Sequence, residues 1–135
     1  MKYNQFIELV RRRAHLSSES EAQRATQATL ETLAAYISPK ERHDAASQLP
    51  KVIKEYMQQP FLAAGKPPAP SPESSQIVED FFQRVSILEE VPLETAREHA
   101  RAVMSVLRDA LSKGEFEDIR AQLPPALYNE FFARR

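Results

Sequence analysis

Apolar residues recur at spacings of three and four along most of the chain, and prolines and capping residues cut that pattern into segments. Tyr3, Phe6, Ile7, Val10 and Ala14 form the first stripe and predict a helix over about 3–14. Ser18 and Glu21 stand at capping-box spacing, so a second helix should start there and run to about residue 37. Its inward residues would be Ala22, Ala25, Thr29, Leu30, Leu33 and Ile37. Ser38-Pro39-Lys40-Glu41 is another box, with proline at the first helical position, where its missing N–H costs nothing. A short helix to about Gln48 follows. Pro50 then opens a fourth segment carrying Val52, Ile53, Tyr56 and Met57, which Pro60 stops.

Beyond an extended stretch, Pro67-Pro68-Ala69-Pro70-Ser71-Pro72, the series begins again. Ile77, Val78, Phe81, Phe82 and Val85 predict one helix. Pro92 opens a long one to about Leu111, burying Ala96, Ala100, Val103, Met104 and Leu107. Ser112-Lys113-Gly114-Glu115 repeats the box. A short helix through Phe116 and Ile119 leads to Leu123-Pro124-Pro125 and a last helix with Leu127, Phe131 and Phe132.

The two series are in register. Gln48-Leu49-Pro50 returns as Gln122-Leu123-Pro124, an offset of 122 − 48 = 74 residues. The same offset lays Ala22 on Ala96, Ala28 on Ala102, Leu33 on Leu107, Ser38 on Ser112, Glu41 on Glu115 and Asp44 on Asp118. Phe6 and Val10 answer Phe81 and Val85 at 75. With only Gly65 and Gly114 as glycines and almost no alternating β-branched runs, the expected fold is all-α: two related four-helix halves packed as one bundle. The boundaries expected are 1–59 for the first repeat, 60–73 for a Pro-rich linker and 74–135 for the second repeat.

Composition narrows the functional classes. The 135 residues suit one domain, and the 42% hydrophobic content suffices for a packed interior. No run reaches the roughly 18–20 apolar residues that cross a bilayer. The first residues soon meet Glu8 and Arg11-Arg12-Arg13 and do not read as a signal peptide. With no cysteine, disulfides and thiolate metal sites are excluded. A cytoplasmic location is the simplest expectation. Residues 1–66 carry ten Lys/Arg against seven Asp/Glu, and residues 67–135 eight against twelve, so the net −1 hides halves of +3 and −4. Neither value is the strongly basic balance of a nucleic-acid binder.

The Tyr3/Phe6/Val10 helix, the capped Ala-rich helix ending in Leu33, and the repeated Gln-Leu-Pro corner resemble the bacterial family known as domain of unknown function 2267. The resemblance spans essentially the whole chain. It implies a small bacterial helical protein without an established activity, and it carries over no functional residues.

The residues themselves offer little chemistry. His15, His43 and His99 lack the i, i+3 or i+4 partners of a helical metal site. The nearest constellation is Glu94, Glu98 and His99, but His99 points about 100° from Glu98. Two glycines cannot build a phosphate loop or a nucleophile elbow. Arg97, Arg101 and Arg108 share a helix face, with Glu94 and Glu98 each three residues ahead of an arginine, as on a solvated surface. Arg11-Arg12-Arg13 ends a helix, where cations oppose the dipole. In Phe81-Phe82 and Phe131-Phe132, one ring should face the core and the other its border. Phe61-Leu62-Ala63-Ala64 either tucks back onto the first half or docks on a partner.

No catalytic, cofactor-binding or metal-ligating residue is assigned. The expected function is a non-catalytic protein–protein interaction or oligomerisation module, its partner unspecified and neither nucleic acid nor membrane. The alternative is a small-molecule binder with an apolar pocket between the halves.

Overall fold

The structure is a computed structural model that describes residues 1–62 and 74–132, with no side-chain description at 74 and 75. Its described residues form eight α-helices and no strand: α1 Tyr3–Arg13, α2 Glu19–Ala34, α3 Pro39–Ala46, α4 Lys51–Met57, α5 Ser74–Glu89, α6 Leu93–Ala110, α7 Lys113–Gln122 and α8 Pro125–Phe132. None of them is long and apolar enough to cross a membrane. The Pro-rich stretch and Ala63-Ala64 lie outside the described residues.

Local chemistry sets the helix ends. Ser18, Ser38 and Ser112 are N-caps whose hydroxyls accept from the amides of Glu21, Glu41 and Glu115 at 3.1, 3.1 and 3.2 Å. The reciprocal halves of these boxes differ from expectation. Glu21 takes the amide and hydroxyl of Ser17, one residue before the cap. The amide of Ser38 donates to Gln122 Oε1 at 2.7 Å, and that of Ser112 to Gln48 Oε1 at 2.8 Å. In the Ser38 and Ser112 boxes a glutamine from the far half of the chain therefore fills the place of the box glutamate. The helix ends also use unexpected residues. α1 and α5 both close through a left-handed residue that is not glycine, His15 at φ 58° and Glu90 at φ 62°. The 6→1 bonds that define this closure run from Leu16 to Arg11 (2.8 Å) and from Val91 to Ser86 (3.3 Å). α2 stops at Ala34, three residues short of the expected end, because Ala35 and Tyr36 tighten into i→i−3 bonds.

The core lies between α2 and α6. α2 packs against α1, α4, α5 and α6, and α6 against α1, α2, α5 and α8. Both central helices bury alanines, Ala22, Ala25 and Ala28 on one and Ala96, Ala100 and Ala102 on the other, and small side chains let backbones approach. Thr26, Thr29 and Thr32 are also fully buried on α2; Thr26 bonds the Ala22 carbonyl, while the Thr29 and Thr32 hydroxyls have no hydrogen-bond partner among the described residues. α1 and α5 each touch both central helices, so each first helix packs partly on the other half's long helix. α3 meets α7 at one end.

Two expectations are corrected. Both Phe81 and Phe82 are fully buried, because α5 is covered by α2 on one side and by α6 and α8 on the other. Phe131 and Phe132 are buried too, joined edge-on to Phe81, Phe82 and Phe116. Val52, counted with the apolar set of the fourth helix, is exposed. Phe61 turns back: its amide donates to the Glu31 carbonyl at 2.9 Å, whereas Leu62 is exposed.

Leu33 and Leu107 are fully buried on the two central helices. Leu33→Ala and Leu107→Ala should each cost about 2–5 kcal/mol. Because α1 and α5 each lean on both central helices, both variants should lower one cooperative transition in urea unfolding followed by circular dichroism. Two separable transitions, each answering one substitution, would show independent halves.

Candidate functional site

A concavity that pairs cationic and aromatic side chains lies where the end of α1 meets α6 and α8. Residues 98, 101, 102, 105 and 108 follow one another on a single face of α6 and form its wall. Arg13 and His15 form one rim and Phe131 and Phe132 lie on the α8 side, enclosing about 560 Å³. Arg13 reaches across from α1, donating to Ser105 Oγ at 3.0 Å and to Asp109 Oδ2 at 2.8 Å. Arg101 is paired with Glu130 of α8. Arg108 stands 5.1 Å over the ring of Phe132 and has no carboxylate partner among the described residues. Ser105 donates to the Ala102 carbonyl while accepting from Arg13, so it is not poised as a nucleophile. The groove offers planar cations beside aromatic rings. That suits recognition of a carboxylate attached to an apolar body.

Features that the sequence scattered thus converge here. Of the arginine triplet, Arg11 and Arg12 turn back onto Glu8, and only Arg13 enters the groove. Arg101 and Arg108 belong to it; Arg97 does not, being held by Glu79 and Glu94 above Phe82. Glu94, Glu98 and His99 are not brought together. Glu98 lines the groove, and His99 is buried against Glu89, Nδ1 to Oε2 at 2.5 Å. No helical spacing announces that pair, since it joins two helices across a turn.

Five groove positions have counterparts 74 or 75 residues away. Arg24, Gln27, Ala28 and Glu31 of α2, with Leu88 of α5, line a second hollow of about 130 Å³. They correspond to Glu98, Arg101, Ala102, Ser105 and Arg13. In the smaller hollow Arg24 donates to the Glu89 carbonyl at 2.7 Å.

A second cluster sits where α3 meets α7. Carboxylate oxygens of Glu41, Glu115 and Asp118 all lie within 4.8 Å of one another. Glu41 is 5% exposed, and burial, followed by the nearness of Glu115, pushes its pKa up to about 8. The sequence held a signal for this meeting. Glu41 and Glu115 stand at the 74-residue offset that relates the two series of helix signals, and the fold brings them together.

These features define a small all-helical protein with a cationic groove at the meeting of its N-terminal helix and its C-terminal half. Residues 3–129 match the family described as uncharacterized conserved protein (DUF2267), and the chain belongs to that family. No curated protein matches the chain.

The acidic junction has a pH signature. Glu41 binds its proton more tightly folded than unfolded, where a carboxyl titrates near the usual 4.5. Its contribution to stability is therefore complete below about pH 4.5 and declines as pH rises to about 8. Urea midpoints in chelated buffer should fall across that window, and Glu41→Gln should flatten the decline. An unchanged slope in the variant would assign the effect to other groups.

Proposed function

We propose that this protein is a non-catalytic interaction module whose groove between α1, α6 and α8 receives an acidic, aromatic- or aliphatic-bearing segment of a protein partner. The observation that carries this reading is Arg108, held over Phe132 with no carboxylate partner among the described residues, beside Arg13 and Arg101. A partner carboxylate would complete that guanidinium, and an adjacent apolar side chain would cover the ring edges. Arg101 and Arg108 are exposed, so a ligand reaches them without opening the fold. In this reading the protein works in the bacterial cytoplasm and engages neither nucleic acid nor membrane.

We also read the chain as two copies of one four-helix unit, 1–59 and 74–135, with 60–73 as linker. The exchanged Gln–Ser bonds and the five corresponding groove positions support it. Under this reading the groove belongs to both copies, one supplying Arg13, Ala14 and His15 and the other the remaining wall.

The size of the groove favours one further occupant, since about 560 Å³ falls within the range of small-ligand pockets. A carboxylate-bearing metabolite with a flat apolar body would use the same arginines.

Selection of a random peptide library on the full-length protein should enrich sequences that pair Asp or Glu with Phe, Leu or Tyr. Arg108→Glu should weaken the best peptide at least tenfold by fluorescence anisotropy, equivalent to about 1.4 kcal/mol. Arg12→Glu, on the Glu8 side of α1, should leave affinity within twofold. Enrichment without acidic residues, or equal loss in both variants, would refute this site. Aromatic carboxylates that raise the melting temperature while no peptide binds would favour the small-ligand reading.

A further inference from the structure

The acidic junction lies apart from the groove and has a property that groove binding does not use. α7 presents Glu115 and Asp118 one turn apart, and α3 sends Glu41 toward them from the other side of the α3–α7 contact. Glu41 is 5% exposed, yet its Oε2 has no hydrogen-bond partner among the described residues, and Glu115 Oε2 is likewise buried without one there. The reason lies in the exchanged caps. A box glutamate ordinarily accepts the N-cap amide of its own helix. Here Gln122 takes the amide of Ser38 and Gln48 that of Ser112, which leaves both glutamates without that donor.

Nearby positive charge does not meet the need. Lys40 of α3 borders the same hollow and lies within electrostatic reach of Glu41 and Asp118, but its ammonium is bonded to Asp44 at 2.8 Å. The corresponding position on α7 is Gly114, which has no side chain to offer, so Asp118 has no salt-bridge partner among the described residues. The first series therefore neutralises its aspartate internally, and the second leaves its aspartate facing Glu41 and Glu115. A hollow of about 350 Å³ bordered by Glu41, Asp44, Asp118 and Gln122 leads from solvent to the cluster.

We propose that Glu41, Glu115 and Asp118 form a divalent-cation site joining α3 to α7. The donor set is oxygen only, which selects hard ions such as calcium, magnesium or manganese over zinc. Oxygens held about 2.3–2.6 Å from one calcium ion lie at most about 5 Å apart, and the observed 4.8 Å limit falls within that reach. The remaining positions face the hollow and would be filled by water. The site departs from the expectation of no metal, which rested on histidine and cysteine spacing. It needs neither residue type.

The test uses full-length protein stripped with chelator, at a pH above 8, where loss of the Glu41 proton is favoured. Titration with calcium, magnesium and manganese chlorides should give, for at least one ion, a saturable rise in melting temperature at constant ionic strength. Asp118→Asn keeps the buried pair intact and should raise the half-saturating concentration at least tenfold. Gly114→Lys should do the same by supplying the internal partner that Lys40 gives Asp44; a side chain there meets nothing within 4 Å. Glu117→Gln, an exposed neighbour on α7, should bind as the unaltered protein does. Manganese should broaden the amide resonances of residues 41, 115 and 118 before others. No saturable shift with any ion, or equal loss in all three variants, would overturn the site.

Discussion

The whole arrangement depends on how closely α2 and α6 can approach. Alanines at 22, 25 and 28 and at 96, 100 and 102 keep the two helices thin. Every other described helix except α3 and α7 then packs on at least one of them. Because α1 and α5 each lean on both, neither half buries its own first helix unaided. Units of about 60 residues have marginal cores alone, and sharing the central pair removes that limit. The groove follows from this geometry: α1 crosses toward α6, so its last arginine arrives beside the arginines of the second half.

At the α3–α7 end, the two halves of the chain meet their polar requirements by exchange. Each glutamine completes the helix start of the other half. The exchange ties helix ends distant in sequence, and its by-product is a pair of glutamates without their usual amide. Divergence is concentrated where the two halves stop matching. Lys40 faces Gly114 in the alignment, and Gln27 and Glu31 face Arg101 and Ser105. The first difference leaves the junction acidic, and the others separate a wide cationic groove from a narrow hollow with an internal partner for Arg24.

Much of the fold was legible in the sequence because helix signals are local. Ser38, Ser112, Pro39 and Pro92 mark starts within a residue, and the apolar stripes through Phe6, Val10, Leu33 and Leu107 are buried. Less of the candidate site was legible, because its parts answer across the fold. Arg101 stands three residues from Glu98, yet it chooses Glu130, 29 residues on. Arg13 looked like a helix terminus, and its role depends on where α1 crosses α6. Burial of both Phe81 and Phe82 followed from α8 covering a border that helical periodicity leaves open. The acidic junction was signalled only by the repeat, since an offset of 74 is invisible to any motif of a few residues.

The three buried threonines of α2 bear on the order of events in folding. Threonine is a poor helix former, and a hydroxyl left without a partner gains nothing from early burial. Alanine, glutamate, glutamine and leucine supply most of the remaining positions of α2, so the helix itself is well disposed to form. It is fully enclosed only once α1 and α4 of its own half and α5 and α6 of the far half have packed on it. Docking of the far-half helices closes the longest loops between them, and that step carries the larger entropy cost in folding.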